Sequence, residues 1–473
     1  MTPSPASFPF VRALQHRGAR VYMVGGTVRD ELLGQPRKDL DLLVTGIPQP
    51  DLLRCLRPYG RVQLTGRAFG VIKLSPHGWD GPPIDVALPR TEISTGVGHR
   101  DFEVMFDHTL PVEIDLGRRD FTMNAMAIDL ADGHLLDPFG GYGDLQQRQL
   151  RQVSPLAFPE DPLRMLRGVQ LTARFALQIE SATRAAMQTH AATISTVAPE
   201  RIAEELRKLL QAWAPSQGFV VMHEAGLLVH VLPELARLAN SVAPRQLDQS
   251  PDREATVDTA FTRTMRRLDT VQQCEMLTYR GHLDLLLAAL LCDSGLSRPM
   301  QTGTNWHRKD LAQESARLAR QRLDALKITT IGATPALISA LITQSAFDVS
   351  ALATPGALRH FAHHVGCTPA FMLFELRLAE CLGNQPAYPV DDLLELRQRL
   401  RTAIDQKVPL RLQELAVNGD DLQHLGIAPG PHLGQILQTL LGHVLDDPAE
   451  NTRTRLLALA QAERDRQQYG GTG

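Results

Sequence analysis

The sequence predicts an α/β domain followed by an all-α remainder, on three observations. Residues 1–144 alternate short apolar runs with Gly/Pro turns, the pattern of strands and helices sharing one sheet. From Leu145 nearly to the end the apolar spacing becomes helical. Within the first part, Val21 to Val44, VYMVGGTVRDELLGQPRKDLDLLV, reads as strand, glycine turn, amphipathic helix and second strand. At 473 residues the chain exceeds one ordinary core; a shift in composition at Leu145 marks one boundary, and a polar, Pro-bearing stretch after Leu235 reads as a linker.

The first strand, Val21-Tyr22-Met23-Val24, stops at Gly25-Gly26. Two residues without Cβ atoms let the main chain approach a bulky anion, and the N–H groups opening the next helix point toward it. Arg29 lies one turn into that helix, where a guanidinium can add charge-assisted bonds to phosphate. On the next strand Asp39 and Asp41 stand at i and i+2 and face one way, an oxygen pair suited to a hard cation such as Mg²⁺ shared with substrate phosphates. A P-loop is excluded because no Gly-Lys-Ser/Thr follows the glycines, and a dinucleotide fold would want a third glycine.

Taken alone, a Gly-Gly is usually a turn and an Asp-x-Asp a solvated strand end; the two in this order within one unit describe a nucleoside-triphosphate site. The arrangement GGTVRDELLG followed by DLD resembles the class II tRNA nucleotidyltransferase and bacterial poly(A) polymerase family. The resemblance implies a polymerase-β-like nucleotidyltransferase head at 1–144 with a helical neck at 145–235, body at 236–385 and tail at 386–473.

Beyond Val44 the text predicts a helix at 51–56 and strands near 61–64, 71–74 and 84–87. Asp85 sits mid-strand, where an unpaired charge is costly unless a cation is near. It is a candidate third carboxylate, orienting or deprotonating the attacking hydroxyl. PRTEISTGVGHRDFEV then reads as a mobile loop; the family carries a loop here that helps it switch nucleotides, which makes Arg90 and Arg100 candidates. In LGRRDFTMNAMAIDL, Arg118, Arg119 and Asp120 precede a strand-like run from Met123 to Ile128. A carboxylate beside paired arginines suits a ribose hydroxyl next to phosphates. Alone it would read as a surface ion cluster, but it resembles the family's ribose motif. DPFGG, with Gly140-Gly141, resembles the motif that joins head to neck and lets the head flex.

PEDPLRMLRGVQL opens with a helix-start signal, acid at the cap and proline in the first turn. Asp161, Arg164 and Arg167 fall at i, i+3 and i+6. Without context they make a capped helix with one i,i+3 ion pair. In the resembled family Asp and Arg of this motif read the Watson–Crick edge of cytosine or adenine, and Arg167 fits a triphosphate contact. Gln170 stands where the family commonly has a third arginine. Glu200, Arg201 and Glu204, after Pro199, are expected to brace that helix. Further on, Cys292-Asp293 stands where some relatives carry a His-Asp metal site, and the missing histidine argues against hydrolase chemistry. In the tail, Asn418-Gly419 and Gly430-Pro431 punctuate helices, and Arg453 and Arg455 suggest a tRNA contact.

The net charge of −3 gives no global attraction to nucleic acid, so RNA would need a local basic surface. Five scattered cysteines and the lack of any run of ~20 apolar residues lead to the expectation of a cytoplasmic protein without membrane partners. The resemblance implies an enzyme that adds CCA to the 3′ end of tRNA from CTP and ATP, contacting the acceptor stem and using Mg²⁺. Poly(A) addition, or partial CC or A addition, is the alternative.

Overall fold

The computed structural model describes residues 4–36, 39–65, 70–94, 102–241, 259–297, 307–384 and 390–469. The chain divides into two compact units, residues 1–236 and 237–473. The first carries an α/β sheet followed by helices, and the second is helical.

The sheet of the first unit contains β1 (Arg20–Val24), β2 (Asp41–Thr45), β3 (Gly60–Thr65), β4 (Val71–Pro76), β5 (Ile84–Ala87), and, after the hairpin of β6 (Arg90–Ser94) and β7 (Phe102–Phe106), β8 (Ala127–Asp129) and β9 (Leu135–Leu136). Its order is β3-β4-β5-β2-β1-β8-β9. β1 and β2 run antiparallel, with Met23 opposite Leu42. β2 and β5 run parallel, which sets Asp41 opposite Asp85.

Val21 to Val24 and Leu42 to Val44 are all buried, so the middle of the sheet is covered on both faces. On one face Tyr22, Val24 and Leu43 pack with Val112 and Leu116 of a short helix at Val112–Gly117. On the other, α1 (Pro9–His16) lies against β1 and against the helix Gln49–Leu56. The unit of strand, glycine turn, helix and strand is present, its helix α2 spanning Gly26–Leu32.

Two expectations shift. The segment expected as a mobile loop is the β6–β7 hairpin where it is described, while 95–101, with Arg100, lies outside the described residues. The run from Met123 to Ile128 is a 3₁₀ turn, Thr122–Asn124, leading into the short β8. Its alternation is broken because every residue there except Ile128 is buried. The DPFGG turn packs hard: Asp137 accepts from the amides of Gly141 and Tyr142, and a Cβ on Gly141 would sit 2.1 Å from the Thr122 carbonyl oxygen.

The helical part of this unit centres on α3 (Leu163–Phe175), packed on α4 (Pro199–Leu210) and α5 (Pro215–Glu224). Leu163, Leu166, Val169 and Ala173 supply its apolar stripe.

In the second unit Arg267 is buried and bonded to Asp293 at 2.8 Å, to Glu380 at 2.5 Å and to the Ala289 carbonyl at 3.0 Å. Asp293 is thus taken by a guanidinium, and burial pushes the Cys292 thiol up, away from thiolate. Glu380 also holds Arg263; burial opposes its ionisation, but Arg267 and Arg263 outweigh that and hold it below the usual carboxylate range. Stability from Glu380 is therefore full above the ordinary carboxylate range of about 4.3 and is lost as pH falls below it. Glu380→Gln is expected to destabilise this unit by about 3–5 kcal/mol, read by denaturant unfolding at neutral pH. The variant should also lose part of the acid-induced drop.

In the tail Asn418 caps the helix Gly419–His424, but Arg453 is paired with Asp421 at 2.6 Å and Arg455 with Glu450 at 2.6 Å. The two arginines expected near a tRNA contact thus each stand beside a neighbouring acid and remain exposed.

Candidate functional site

The site assembles at the C-terminal end of β1, where Gly25 turns the chain at φ +72° and ψ −139°, a region that glycine alone occupies readily. A methyl group built there would lie 2.5 Å from Arg119 Nη1 and 3.8 Å from Asp41 Oδ2, so the bend, the guanidinium and the carboxylate share one small space. Gly25→Ala should lower the unfolding midpoint by an amount corresponding to about 1–3 kcal/mol, measured by thermal denaturation.

Asp41 begins β2, and Asp39 precedes it outside the strand. Leu40 between them is buried, Asp39 is exposed and Asp41 half-buried, and the Asp39 charge is felt at Asp41. Thr27, which sequence reasoning passed over, holds this segment: its hydroxyl donates to the Asp39 carbonyl at 3.2 Å and accepts from the Asp41 amide at 3.4 Å. The Asp41 carboxyl is pushed up to about 6, chiefly by burial; Arg119 opposes the shift, and the charges of Asp85 and Asp39 add to it.

Asp85, the strand neighbour of Asp41, is engaged by Lys73 across β4–β5, at 2.7 and 3.1 Å to its two oxygens. Lys73 was not anticipated, although a mid-strand acid asks for a cation and Lys73 lies on the strand that pairs with it. Among the described residues no three Asp, Glu, His or Cys side chains gather as a metal cluster. What remains is an oxygen pair, Asp39 and Asp41, crowded by a third acid. A divalent cation completed by phosphate oxygens and water fits this donor set, because its charge would offset the burial that chiefly lifts Asp41 and the smaller repulsion from Asp85 and Asp39.

Arg118 and Arg119 are anchored by Asp115, a fully buried acid three and four residues before them. Arg118 Nε donates at 2.9 Å and Arg119 Nη2 at 3.2 Å. Burial works to raise the Asp115 pKa, but the two arginines outweigh it and the net shift is downward. The i,i+3 and i,i+4 spacing was the available signal for this anchor. Arg119 Nε is buried with no hydrogen-bond acceptor, an orphaned donor that an anion would satisfy.

Asp120, expected to meet a ribose hydroxyl, points inward and is 4% exposed. It accepts from the Phe121 amide at 2.8 Å and from Asn124 Nδ2 at 3.0 Å, and Arg167 Nη2 lies 3.1 Å away. Burial alone would raise its pKa; Arg167 and these bonds lower it, and Asp120 raises Arg167 in turn. Asp120 thus positions Arg167, whose side chain is 45% exposed.

Arg29 also departs from expectation. It is buried, donates to Asn124 Oδ1 at 2.7 Å and Asp30 Oδ1 at 2.6 Å, and stacks over Phe175 with Cζ 4.5 Å from the ring centroid. A Cβ on Gly26 would come within 3.3 Å of its Nη2, so Gly26 makes room for this guanidinium. Arg29 clamps α2 to the end of α3, and Asn124 joins it to Asp120.

At the start of α3, Asp161 and Arg164 do not pair with each other. Asp161 accepts from the Leu163 amide at 3.1 Å and from Arg201 at 2.9 Å, while Arg164 bonds Glu160 at 3.1 Å and the Ala157 carbonyl at 3.2 Å. The helix starts at Leu163, so Asp161 lies in extended chain before it and each partner is held from a different side. Arg201 does brace this helix, through Asp161. Gln170 is buried and accepts from Arg174 at 3.3 Å.

Residues 21–151 match the family model of the Poly A polymerase head domain, and 176–238 match the "Probable RNA and SrmB-binding site of polymerase A". Residues 369–460 match a model of tRNA nucleotidyltransferase domain 2. The multifunctional CCA protein of Xanthomonas campestris pv. campestris strain B100 is 38% identical over 252 residues, covering 52% of this chain and 57% of that one. That of Ralstonia nicotianae is 38% identical over 286 residues, or 59% and 61%. The chain thus spans somewhat more than half the length of the curated relatives it matches. Among solved structures, the Bacillus stearothermophilus CCA-adding enzyme in complex with CTP superposes with a TM-score of 0.67 at 22% identity, covering 98% of this chain and all of that one. The Thermotoga maritima CCA-adding enzyme complexed with tRNA gives 0.59 at 22%, covering 96% and 94%. At that identity the likeness is one of fold.

Proposed function

We propose that the chain is a member of the class II tRNA nucleotidyltransferase and bacterial poly(A) polymerase family, a reading supported by the matches of 21–151, 176–238 and 369–460 and by the partial likeness to multifunctional CCA proteins, and that it is a template-independent enzyme adding CCA to the 3′ end of tRNA from CTP and ATP, with pyrophosphate leaving. The observation that carries this reading is the shared space of the Gly25 bend, the Arg119 guanidinium and the Asp41 carboxylate. An anion held there by Arg119 would lie beside the acids that hold its counter-ion.

Asp39 and Asp41 would hold Mg²⁺, which when bound supplies neutralisation of the triphosphate and a lowered pKa for the attacking hydroxyl. Around it, Gly25 leaves room for the Arg119 guanidinium, and Arg119 offers the orphaned Nε to phosphate. Arg118 holds Asp115, which fixes Arg119. Asp120 aims Arg167 at the nucleotide, and Asp161 and Arg164 present acceptor and donors to the base edge. Asp85, shared with Lys73, is placed beside Asp41 to orient the 3′ hydroxyl. Gly26 and Arg29 serve this site from behind. In this reading 1–144 is the head, 145–235 the neck, 236–385 the body and 386–473 a tail that contacts tRNA, all in the cytoplasm.

The match of 21–151 to a poly(A) polymerase head favours poly(A) addition as the second reading. The two separate on incubation of purified protein with tRNA lacking its 3′ end plus CTP, ATP or both. A stop after CCA is the expected product, whereas a long A ladder with ATP alone, or a stop after CC or after a single A, would replace the proposal.

A further inference from the structure

An open groove of about 440 Å³ lies in the first unit at the far end of α3 from Arg164, eleven residues or roughly 16 Å along the helix. Thirteen residues line it, among them Trp213, Phe175, Arg148, Arg174, Gln146 and Gln217, and none is acidic. Trp213 is 64% exposed although its neighbours Ala212 and Pro215 are buried, so the chain between α4 and α5 is anchored while the indole is turned outward.

Arg148 and Arg174 enter no ion pair among the described residues, unlike Arg118, Arg167, Arg201, Arg453 and Arg455. Arg148 has φ +51°, and its carbonyl accepts from the Gln178 amide at 2.8 Å, so its backbone is pinned while its side chain is exposed. Arg174 lies with Cζ 5.1 Å from the Phe175 centroid, and burial together with the nearby Arg29 lowers its pKa. Exposed indole, amide side chains and two arginines outside any ion pair among the described residues, one of them with Asp30 and Glu205 only at longer range, match the needs of an unpaired nucleobase and its phosphate, through stacking, edge hydrogen bonds and charge.

We propose that this groove is a second RNA subsite that holds an unpaired nucleotide, away from the reaction centre. The identification of the strand as RNA rests on the function proposed above, whereas the ligand chemistry rests on the groove. An acidic peptide fits less well, since it would leave the indole face and the amides without matched partners.

The test measures binding of labelled single-stranded oligocytidylate and of tRNA lacking its 3′ end to the full chain, with nucleotide addition assayed in parallel. Trp213→Ala should weaken oligonucleotide binding about 10-fold or more. Trp213→Phe should restore most of it. Arg148→Ala should flatten the salt dependence of binding by about one charge. KM for CTP and turnover at saturating tRNA should stay as in the parent. Oligonucleotide affinity in Trp213→Ala within two-fold of the parent, at an unchanged unfolding midpoint, overturns the proposal. If the parent adds no nucleotides but Trp213→Ala still loses the oligonucleotide, the groove stands and the enzymatic reading fails.

Discussion

Asp41→Asn is expected to lower nucleotide incorporation by about 10³-fold or more while leaving tRNA affinity nearly intact, because the interaction it removes is with the cation proposed here, which would act on the reacting groups and not on the tRNA body. Turnover within a few-fold of the parent would reject the metal role. The same substitution should stabilise the protein in metal-free buffer. The folded Asp41 pKa of about 6 lies above the unfolded carboxylate value, so stability contributed below pH ~4 is lost as pH rises through 6. An amide of the same shape carries no such penalty. Thermal unfolding at neutral pH with a chelator should therefore show Asp41→Asn above the parent, by up to about 2–3 kcal/mol. A variant that loses activity and stability together would point to disrupted packing instead.

Arg164→Ala is expected to erode the preference for CTP and ATP over UTP and GTP by about 10- to 100-fold, the worth of one or two charge-assisted hydrogen bonds. Single-turnover incorporation of each nucleotide, compared with tRNA binding, checks this. Unchanged discrimination would reject a base-reading role. Because Arg164 is held by Glu160 and not by Asp161, Glu160→Gln should lose part of the same preference without removing a group that touches the nucleotide.

The fold class was legible because period and punctuation agreed: Val21 to Val24 is an apolar run cut by glycines, and the helical spacing of 163–173 is clean. Gly25 and Asp41 came from a spacing whose chemistry is local, so a line of text contains it. Asp120 and Arg29 were misplaced because their orientation depends on Asn124, Arg167 and Phe175, residues brought near by tertiary packing. Lys73 was invisible for a related reason, since its pairing with Asp85 depends on strand register, which no single segment states. The i,i+3 ion pair that Asp161 and Arg164 would make without context is absent for a reason of boundary: Pro162 sits before the helix, so Asp161 leaves the helical face.

The ring of Phe175 carries the Arg29 guanidinium at 4.5 Å and that of Arg174 at 5.1 Å. This stack ties the backbone that follows the glycine bend to the far end of the helix whose beginning carries the proposed base-reading residues. Such a strut resists sliding or rotation of one element against the other. In the proposed reaction, the exchange of one incoming pyrimidine for a purine would then fall to rotamers of Asp161 and Arg164, with the two supporting segments travelling as a single lever. Severing the strut with Phe175→Ala should loosen fidelity before it harms the rate, and equal loss of both would show that the segments are not so joined.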